Sequence, residues 1–243
     1  MTRLESPPDS VRTVNDAVER AANRSPDAVF FRSNGAEYTY RETNEYANAI
    51  ANELRRIGIS KGDRVCVSLY NCPEFLYILF GLAKIGAVAA PIDTRFTDDT
   101  LEYVLRDSGA DTIVLDSDTL PAYEEVQNHV SSISHEYFVG EGSSLRYSKF
   151  EELLSGDFSN PPQVDVRGEE VFTVNYVQQE PSEAPKGVLL PHFSYVNTGW
   201  ESANNILNLT SDDCIFTTLP MYSSYPIQVG LMGTLWSDAV FAF

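Results

Sequence analysis

The sequence predicts an α/β fold of mostly parallel sheets covered by helices. Between residues 11 and 116, short apolar segments alternate with longer segments whose apolar residues recur at helical spacing. The segments at 64–69, 87–92 and 112–115 are apolar at almost every position, as expected for strands buried on both faces. Strands of this kind pair in parallel when helices separate them, because each helix returns the chain to the starting end of the sheet.

The amino-terminal part of the chain predicts a helix followed by a β-hairpin and a second helix. Apolar residues recur at helical spacing over residues 11–21. Residues 28–32 and 37–40 are two strand-like runs on either side of a Ser-Asn-Gly turn. Thr39 and Glu42 stand three positions apart before an apolar periodic run, which is the pattern of a capping box.

The next elements follow the same alternation of helix and strand. The second helix is predicted to end at Gly58, and a Lys-Gly-Asp turn leads into the strand at 64–69. The helix at 73–85 is apolar on almost all sides, so we expect it to lie deep in the core. Gly86 ends this helix, and residues 87–92 form a central strand.

The pattern stays regular for one more helix and strand and then weakens. Thr97 and Gly109 bound the helix, and residues 112–115 form the strand. Residues 116–168 mix acidic residues with Ser and Gly and contain a Pro-Pro pair at 161–162. We predict that this segment is an acidic, solvated surface excursion that ends in a linker.

We divide the chain into a first α/β lobe, residues 1–168, and a second portion, residues 169–243, with a hairpin and the start of a second lobe. The second portion is predicted to contain strands at 171–176, 188–190, 214–219 and 240–243 and helices at 193–206 and 230–236. The last strand ends at Phe243 without a polar cap, so we expect it to form an exposed sheet edge. On this basis we interpret the chain as truncated, with a partner chain or a second copy at the carboxyl-terminal edge strand.

The charge of the chain excludes two classes of partner. The 243 residues include 35 acidic and 17 basic side chains, for a net charge of −18. A surface this acidic repels nucleic acid and anionic membranes, so we expect neither as a partner. The 17 basic residues are 13 Arg and 4 Lys. Excess acid with little Lys suits a high-salt cytosol, where screening reduces the repulsion between like charges.

Targeting and metal binding leave no signal in the sequence. The opening residues MTRLESPPDS contain acids and prolines instead of an apolar core, so we predict no signal peptide and a cytoplasmic location. Cys66, Cys72 and Cys214 form no CxxC pair, and the three histidines lie far apart along the chain. We therefore predict neither a metal site nor a disulfide framework.

The loop at 177–187, between two predicted strands, is the candidate binding site. It ends in Pro-Lys-Gly, and a Lys-Gly loop at such a position often holds phosphate through backbone N–H groups and the lysine charge. The candidate phosphate-binding residues are Lys186, Gly187 and Ser182. The alternative interpretation is that Lys186 is an exposed loop lysine and Ser182 a turn residue.

Several short motifs resemble the opening of AMP-forming acid–CoA ligases, which are acyl-CoA synthetases of the adenylate-forming superfamily. They are Thr39-Tyr40-Arg41-Glu42, Lys61-Gly62-Asp63-Arg64-Val65, the run Leu82 to Pro91, Pro185-Lys186-Gly187 and Leu219-Pro220-Met221-Tyr222. Each motif is short, but all of them fall in the family's order and near its spacing. The resemblance extends from about Val11 to Phe243, and it implies the amino-terminal lobes of such an enzyme.

The resemblance implies a two-step reaction. A carboxylate attacks the α-phosphate of ATP to give an acyl-adenylate and pyrophosphate, and CoA then takes the acyl group. ATP, Mg²⁺ and CoA are the cofactors that this chemistry requires. The family's adenine-binding, acidic and carboxyl-terminal lysine motifs have no counterpart in the sequence, so no catalytic residue is assigned.

The sequence departs from the family pattern in the loop and in the pocket. The family's loop reads Tyr-Thr-Ser-Gly-Thr-Thr-Gly-x-Pro-Lys-Gly, whereas here the interior is one residue longer and lacks Gly and Thr. Glu180 and Glu183 place carboxylates where phosphate should lie. Tyr222 and Ser223 are the candidate pocket residues, and Ser223 stands where the family usually has His.

Three functional hypotheses follow from these observations. The chain is a degenerate, truncated ligase with little or no activity of its own, or it is the amino-terminal half of a split ligase that a partner chain completes. The third hypothesis is a non-catalytic module that binds a small acyl compound or a protein through the old pocket.

Overall fold

The computed structural model describes residues 6–140, 146–178, 180 and 183–243. The α-helices within these residues are α1 (Val14–Arg24), α2 (Tyr40–Arg56), α3 (Pro73–Ile85), α4 (Asp98–Ser108), α5 (Leu120–Val126), α6 (His192–Glu201) and α7 (Met232–Ser237). The strands are β1 (Val29–Ser33), β2 (Ala36–Thr39), β3 (Arg64–Ser68), β4 (Val88–Pro91), β5 (Thr112–Asp116), β6 (His135–Val139), β7 (Ser148–Lys149), β8 (Val171–Val177), β9 (Lys186–Pro191), β10 (Cys214–Phe216) and β11 (Val240–Ala242).

The larger sheet has the strand order β7-β6-β5-β3-β4-β8-β9. All neighbouring strands in it are parallel except β8 and β9, which form an antiparallel hairpin. Alternate residues of β3 enter different cores: Val65 and Val67 pack with α2 and α3, whereas Cys66 packs with α4 and α5. The parallel sheet covered on both faces confirms the predicted α/β class.

The smaller sheet has the order β10-β11-β1-β2, and its pairing corrects one prediction. The final strand, β11, is parallel to both of its neighbours, β10 and β1, so it is an inner strand and not an exposed edge. The backbone N–H of Phe243 also donates to the Arg32 carbonyl, at 3.1 Å. One of its two partners, β1, belongs to the amino-terminal hairpin. The local apolar pattern at residues 240–243 contains no information about a partner so distant in sequence.

Both sheets combine strands from before and after residue 168. The hairpin β8–β9 extends the sheet of the first portion, while β1 and β2 complete the sheet of the second. The division at 168/169 therefore does not coincide with the division between the sheets.

The segment 116–168 is not the surface excursion that its composition predicts. It forms α5, β6 and β7, and the two strands extend the parallel sheet beyond β5. Tyr123, Phe138, Phe150 and Leu153 from this segment are buried. Its acidic residues lie mainly on the solvent side. Because the segment also has few apolar residues, its composition resembles that of a loop, and the prediction was wrong for this reason.

Several helix ends follow the sequence signals. Thr39 and Glu42 form the predicted capping box, with Thr39 Oγ1 accepting from Glu42 N–H at 3.1 Å and Glu42 Oε2 from Thr39 N–H at 2.8 Å. Gly86 and Gly109 end α3 and α4 in the left-handed region, with φ of 67° and 62°. Thr97 does precede α4, but its hydroxyl bonds to the Asp98 carboxylate instead of capping the helix.

Helix α3 is buried along its whole length, as predicted, and it carries a buried lysine. Lys84 is 2 % exposed, and its Nζ lies 2.9 Å from Asn15 Oδ1 and 3.1 Å from Glu19 Oε1 on α1. Burial lowers the pKa of Lys84, whereas Glu19 opposes that shift. No helix in the part of the chain that the structure describes is long and apolar enough to cross a membrane.

The two helices predicted at the carboxyl-terminal end each contain a π-helical turn. One turn, Ser202–Ile206, continues α6, and the other, Pro226–Leu231, precedes α7. The first residue of α6, His192, caps a different helix: its Nδ1 accepts from the N–H of Val14, the first residue of α1, at 3.3 Å.

Candidate functional site

The candidate site lies where the parallel strands β4 and β8 end. In open parallel sheets, the carboxyl ends of the strands form the crevice in which ligands bind. The loop after β8 and the segment after β4 meet the segment around Tyr222 at this edge. Together they form a cavity of about 250 Å³, lined by Asp93, Arg95, Phe96, Asn175, Tyr176, Val177, Gln178, Tyr222, Ser223 and Ser224.

An ion pair forms one wall of this cavity. Arg95 donates to Asp93 through Nε at 3.0 Å and Nη2 at 2.6 Å, and its backbone N–H also donates, at 2.9 Å. Burial by itself raises the pKa of Asp93, but the hydrogen bonds and charge of Arg95 outweigh it and hold that pKa below its usual value. The guanidinium of Arg95 is thus already neutralised by a carboxylate.

Tyr222 completes this cluster. Tyr222 lines the cavity together with Asp93 and Arg95, and burial, followed by the Asp93 charge, raises the pKa of Tyr222. The phenol therefore keeps its proton near neutral pH and acts as a hydrogen-bond donor. Sequence analysis picked out Tyr222 and Ser223 but not Asp93 and Arg95, because an acid and an arginine two positions apart in a loop have no distinctive pattern.

Two asparagines hold the segment that carries Tyr222. Asn71 donates to the Leu219 carbonyl at 3.0 Å and accepts from the Met221 N–H at 2.8 Å. Asn175, within β8, donates to the Tyr222 carbonyl at 3.1 Å. Sequence analysis missed both residues, although Asn is unfavourable inside a strand and its presence in the apolar run of β8 is a usable signal.

The candidate phosphate residues Lys186 and Gly187 begin β9, across from the end of β8. Lys186 pairs with Val177, its side chain is exposed, and it does not line the cavity. A Cβ on Gly187 would lie 3.0 Å from Val174 Cγ1 and 3.3 Å from the Tyr176 ring. Gly187 therefore has a packing role in the hairpin.

Tyr176 aligns with the first residue of the family's loop, and its hydroxyl is bonded to a neighbouring helix. Its hydroxyl donates to Asp107 Oδ2 on α4 at 2.8 Å. Burial and the Asp107 carboxylate both raise the pKa of Tyr176. The bond to Asp107 anchors β8 to α4.

The interior of the loop is only partly described. Ser182 lies outside the described residues, as do Gln179 and Pro181. Glu180 and Glu183 are exposed, and the Glu183 N–H donates to the Glu180 carbonyl at 3.0 Å. This bond engages one of the backbone N–H groups that a phosphate would need.

The described residues do not fit a magnesium nucleotide. A triphosphate needs convergent N–H donors, hydroxyls or free cations. The loop instead presents two carboxylates, and the nearby guanidinium of Arg95 is paired with Asp93. In the described part of the chain, no group of three or more His, Cys, Asp or Glu side chains is placed to hold a metal ion.

Comparison with known proteins identifies the family. The AMP-binding enzyme family matches residues 18–178, which include most of the parallel sheet. The chain belongs to the AMP-binding enzyme family. This match confirms the resemblance to AMP-forming acid–CoA ligases and to the amino-terminal portion of such an enzyme.

Curated members of the AMP-binding family resemble this chain over most of its length. Crotonobetaine/carnitine–CoA ligase of Salmonella paratyphi A is 32 % identical over 195 residues, which cover 76 % of this chain and 36 % of the relative. The Salmonella typhi enzyme of the same name is also 32 % identical, with the same coverage. The chain thus spans little more than a third of the length of these relatives.

Solved structures of acid–CoA ligases share the fold. The anthranilate CoA ligase AuaEII, in complex with anthranoyl-AMP, superposes with a TM-score of 0.89 at 23 % identity, over 95 % of this chain and 44 % of that one. The N-terminal domain of FACL13 from Mycobacterium tuberculosis superposes with a TM-score of 0.84 at 24 % identity, over 96 % and 57 %. The predicted fold of an adenylate-forming enzyme is thereby confirmed.

Proposed function

We propose that this chain is a degenerate amino-terminal portion of an acid–CoA ligase that does not form acyl-adenylates by itself. The ancestral reaction joins a carboxylic acid to AMP at the expense of ATP and then transfers the acyl group to CoA. Membership of the AMP-binding family and the similarity to CoA ligases support this ancestry. The loss of the first step is inferred from the site.

The observation that carries the proposal is the pair of carboxylates in the loop. Glu180 and Glu183 both lie between β8 and β9 in the chain, and both are exposed. A carboxylate about 5 Å from a phosphate charge, at an effective dielectric near 20, raises the free energy of binding by about 3 kcal/mol. One such contact weakens binding by a factor of more than about 100. Lys186 is the one cation of the loop, and it offsets about one of the two.

The size of the cavity also favours loss of nucleotide binding. Its volume is about 250 Å³. Pockets that enclose ligands of drug or cofactor size usually measure about 300–1,000 Å³. In its polar wall the charge of Arg95 is already paired with Asp93, so the cavity suits a small neutral group better than a nucleotide.

ATP, Mg²⁺ and CoA are accordingly cofactors of the ancestral reaction, and the proposal assigns none of them to this chain alone. We propose that the chain is located in the cytoplasm, where ATP and CoA are available to acid–CoA ligases. Its 35 acidic residues outnumber its 17 basic residues, which supports a cytosol of high salt concentration.

Titration calorimetry with Mg-ATP and with Mg-tripolyphosphate tests the proposal. We expect no binding of either compound at millimolar concentrations, and no exchange of pyrophosphate into ATP above background. The double variant Glu180→Gln/Glu183→Gln removes both carboxylates at unchanged size, so it should gain measurable affinity for Mg-tripolyphosphate. Adding Lys186→Ala to that variant should abolish the gain.

Two results would overturn the proposal. One is binding of Mg-ATP by the unaltered chain with a Kd below about 1 mM, the affinity that corresponds to about 4 kcal/mol. The other is pyrophosphate exchange by the chain alone.

A further inference from the structure

A cavity of about 610 Å³ lies at the edge of the larger sheet that is opposite the candidate site. Strands β3, β4 and β8 are parallel, and their first residues, Arg64, Val88 and Val171, all line this cavity. The candidate site lies at the other, carboxyl ends of β4 and β8. The volume is within the range of about 300–1,000 Å³ that is usual for pockets that bind small molecules. The cavity is therefore a separate part of the molecule with room for a ligand.

The floor of this cavity is the face of the sheet on the side of α4. Val88 and Val174 are 6 % and 4 % exposed, and both belong to the core on that side. Leu189 on β9 pairs in register with Val174, so its side chain lies on the same face. Leu189 also lines the cavity and is 57 % exposed. The floor thus offers apolar surface to a ligand, beginning with the leucine that is more than half exposed.

The two carboxylates of the cavity wall are already engaged by cations. Lys61 Nζ lies 2.7 Å from Glu170 Oε1. Arg167 Nε lies 3.3 Å from Glu170 Oε1 and 3.7 Å from Glu169 Oε1. Burial by itself raises the pKa of Glu170, but the hydrogen bonds of Lys61 and Arg167 outweigh it and lower that pKa to about 2. Neither carboxylate needs a further cation from a ligand.

Arg64 is the cation of the wall that remains unpaired. Its guanidinium is exposed and makes no hydrogen bond or ion pair with any other residue that the structure describes. Alternate residues of a strand point to opposite faces, so Arg64 lies on the same face as Cys66, toward α4. Its Nη1 would be 3.5 Å from a Cβ on Gly109, where α4 ends. The charge of Arg64 is therefore placed on the same side of the sheet as the apolar floor.

A carboxylate attached to an apolar chain is the ligand that matches this wall and floor. The planar guanidinium of Arg64 offers two parallel N–H donors, which fit the two oxygens of a carboxylate. A polyanion would carry more negative charge than the wall can neutralise, because Lys61 is already paired with Glu170. An apolar chain would cover the floor and the exposed side chain of Leu189, which a small polar anion would leave in water.

We propose that this cavity binds a monocarboxylic acid with an extended apolar chain, whose carboxylate bonds to Arg64 and whose chain covers Val88, Val174 and Leu189. The acid is held at the amino ends of the strands, away from the loop that connects β8 to β9. It is bound without reacting, so the proposal does not depend on whether the loop binds ATP.

Titration with sodium octanoate, followed through the amide resonances of the isotope-labelled chain, tests this site. The resonances of Gly62, Val88 and Leu189 should shift, whereas that of Tyr222 should not. Affinity should increase from butanoate to hexanoate to octanoate, because a longer chain covers more apolar surface. Octylammonium has the same chain with the opposite charge, and inorganic phosphate has no chain. Each of them should bind at least about tenfold more weakly than octanoate.

Two variants separate the charge from the apolar contact. Arg64→Gln should weaken octanoate binding at least about tenfold, because it removes a charge-assisted hydrogen bond. Leu189→Ser should weaken it about fivefold. Both side chains are exposed, so the fold should be retained, which circular dichroism checks. The matched controls are Arg55→Gln, at an exposed arginine of α2, and Leu207→Ser, at a leucine that is 48 % exposed, and neither should change binding.

Three results would overturn the proposal. They are absence of octanoate binding at millimolar concentrations, binding that Arg64→Gln leaves unchanged, and resonance shifts centred on Tyr222 and Ser223 instead of the cavity. None of them bears on pyrophosphate exchange, which tests the proposed function separately.

Discussion

His192 lies fully buried where α1 meets α6, and its ring is 4.8 Å from that of Phe172 between centroids. Nδ1 accepts the Val14 N–H, so Nε2 carries the proton of the neutral ring. Burial lowers the pKa of His192 to about 4, although the nearby charges of Glu170 and Asp16 act in the opposite direction. A neutral imidazole is thus part of the folded structure.

From the burial of His192 we predict that the free energy of unfolding of the chain falls in mild acid. The unfolded chain binds a proton at His192 below about pH 6.5, whereas the folded chain does so only below a pKa of about 4. Unfolding therefore takes up a proton between these values, and the contribution of His192 to stability, present above pH 6.5, is lost as the pH falls to 4. The loss amounts to about 3 kcal/mol at about 1.4 kcal/mol per pK unit.

Urea unfolding between pH 4 and pH 7 measures this effect. Carboxylates also titrate in part of this range, so the control is His192→Gln, which cannot gain a proton. The slope of the free energy of unfolding against pH should be smaller for the variant than for the unaltered chain. Equal slopes would show that His192 does not carry the effect.

Some residues of the candidate site could be recognised from the sequence, and others could not. The carboxylates of the loop are visible directly, because Glu180 and Glu183 replace small and hydroxyl residues in a motif of known chemistry. The Asp93–Arg95–Tyr222 cluster is not visible, because Tyr222 lies far from the other two residues along the chain and only the fold brings it beside them.

At the scale of elements, α3 and α4 both end at a glycine, and the two glycines can be compared directly. Gly86 and Gly109 have nearly the same backbone, with φ of 67° and 62° and ψ of 19° in both. Their surroundings differ. A Cβ at Gly86 would lie 3.1 Å from both Lys61 Cγ and Val166 Cγ2, whereas at Gly109 the nearest heavy atom would be 3.5 Å away.

We predict different costs for alanine at these two positions. Gly109→Ala should lower the free energy of unfolding by about 1–2 kcal/mol, the cost of a left-handed conformation for an L-residue. Gly86→Ala should cost more, because Lys61 and Val166 must also move. Urea denaturation of both variants measures the difference, and equal costs would mean that the neighbours of Gly86 yield freely.

The ends of helices were easier to predict from the sequence than the pairing of strands. The capping box at Thr39 and the glycines after α3 and α4 are local signals, and the structure bears them out. The segment 116–168 was misjudged because its strands β6 and β7 are short and its apolar residues sparse, although they extend the sheet. Its burial depends on neighbours that are distant in sequence.

At the scale of the whole molecule, the net charge of −18 opposes the compact state. Salt screens this repulsion, since the Debye length falls from about 10 Å at 0.1 M to about 3 Å at 1 M. We predict that Tm rises by at least about 5 °C between 0.1 M and 2 M KCl, which corresponds to about 2 kcal/mol for a domain of this size.

Thermal unfolding followed by circular dichroism checks this prediction. Sucrose at matched osmolality serves as the control, because it stabilises proteins without screening charge. A Tm that is independent of KCl, or that rises equally in sucrose, would contradict the high-salt interpretation.

Local patterns in the sequence were sufficient for the α/β class, most helix ends and the ligase family. Each of these depends on residues close together in the chain or on motifs in a fixed order. The tertiary structure alone placed β11 inside its sheet, brought Tyr222 to Asp93 and Arg95, and left β10 as the open edge. Strand order and the convergence of side chains depend on contacts between distant parts of the chain, and local periodicity does not encode those contacts.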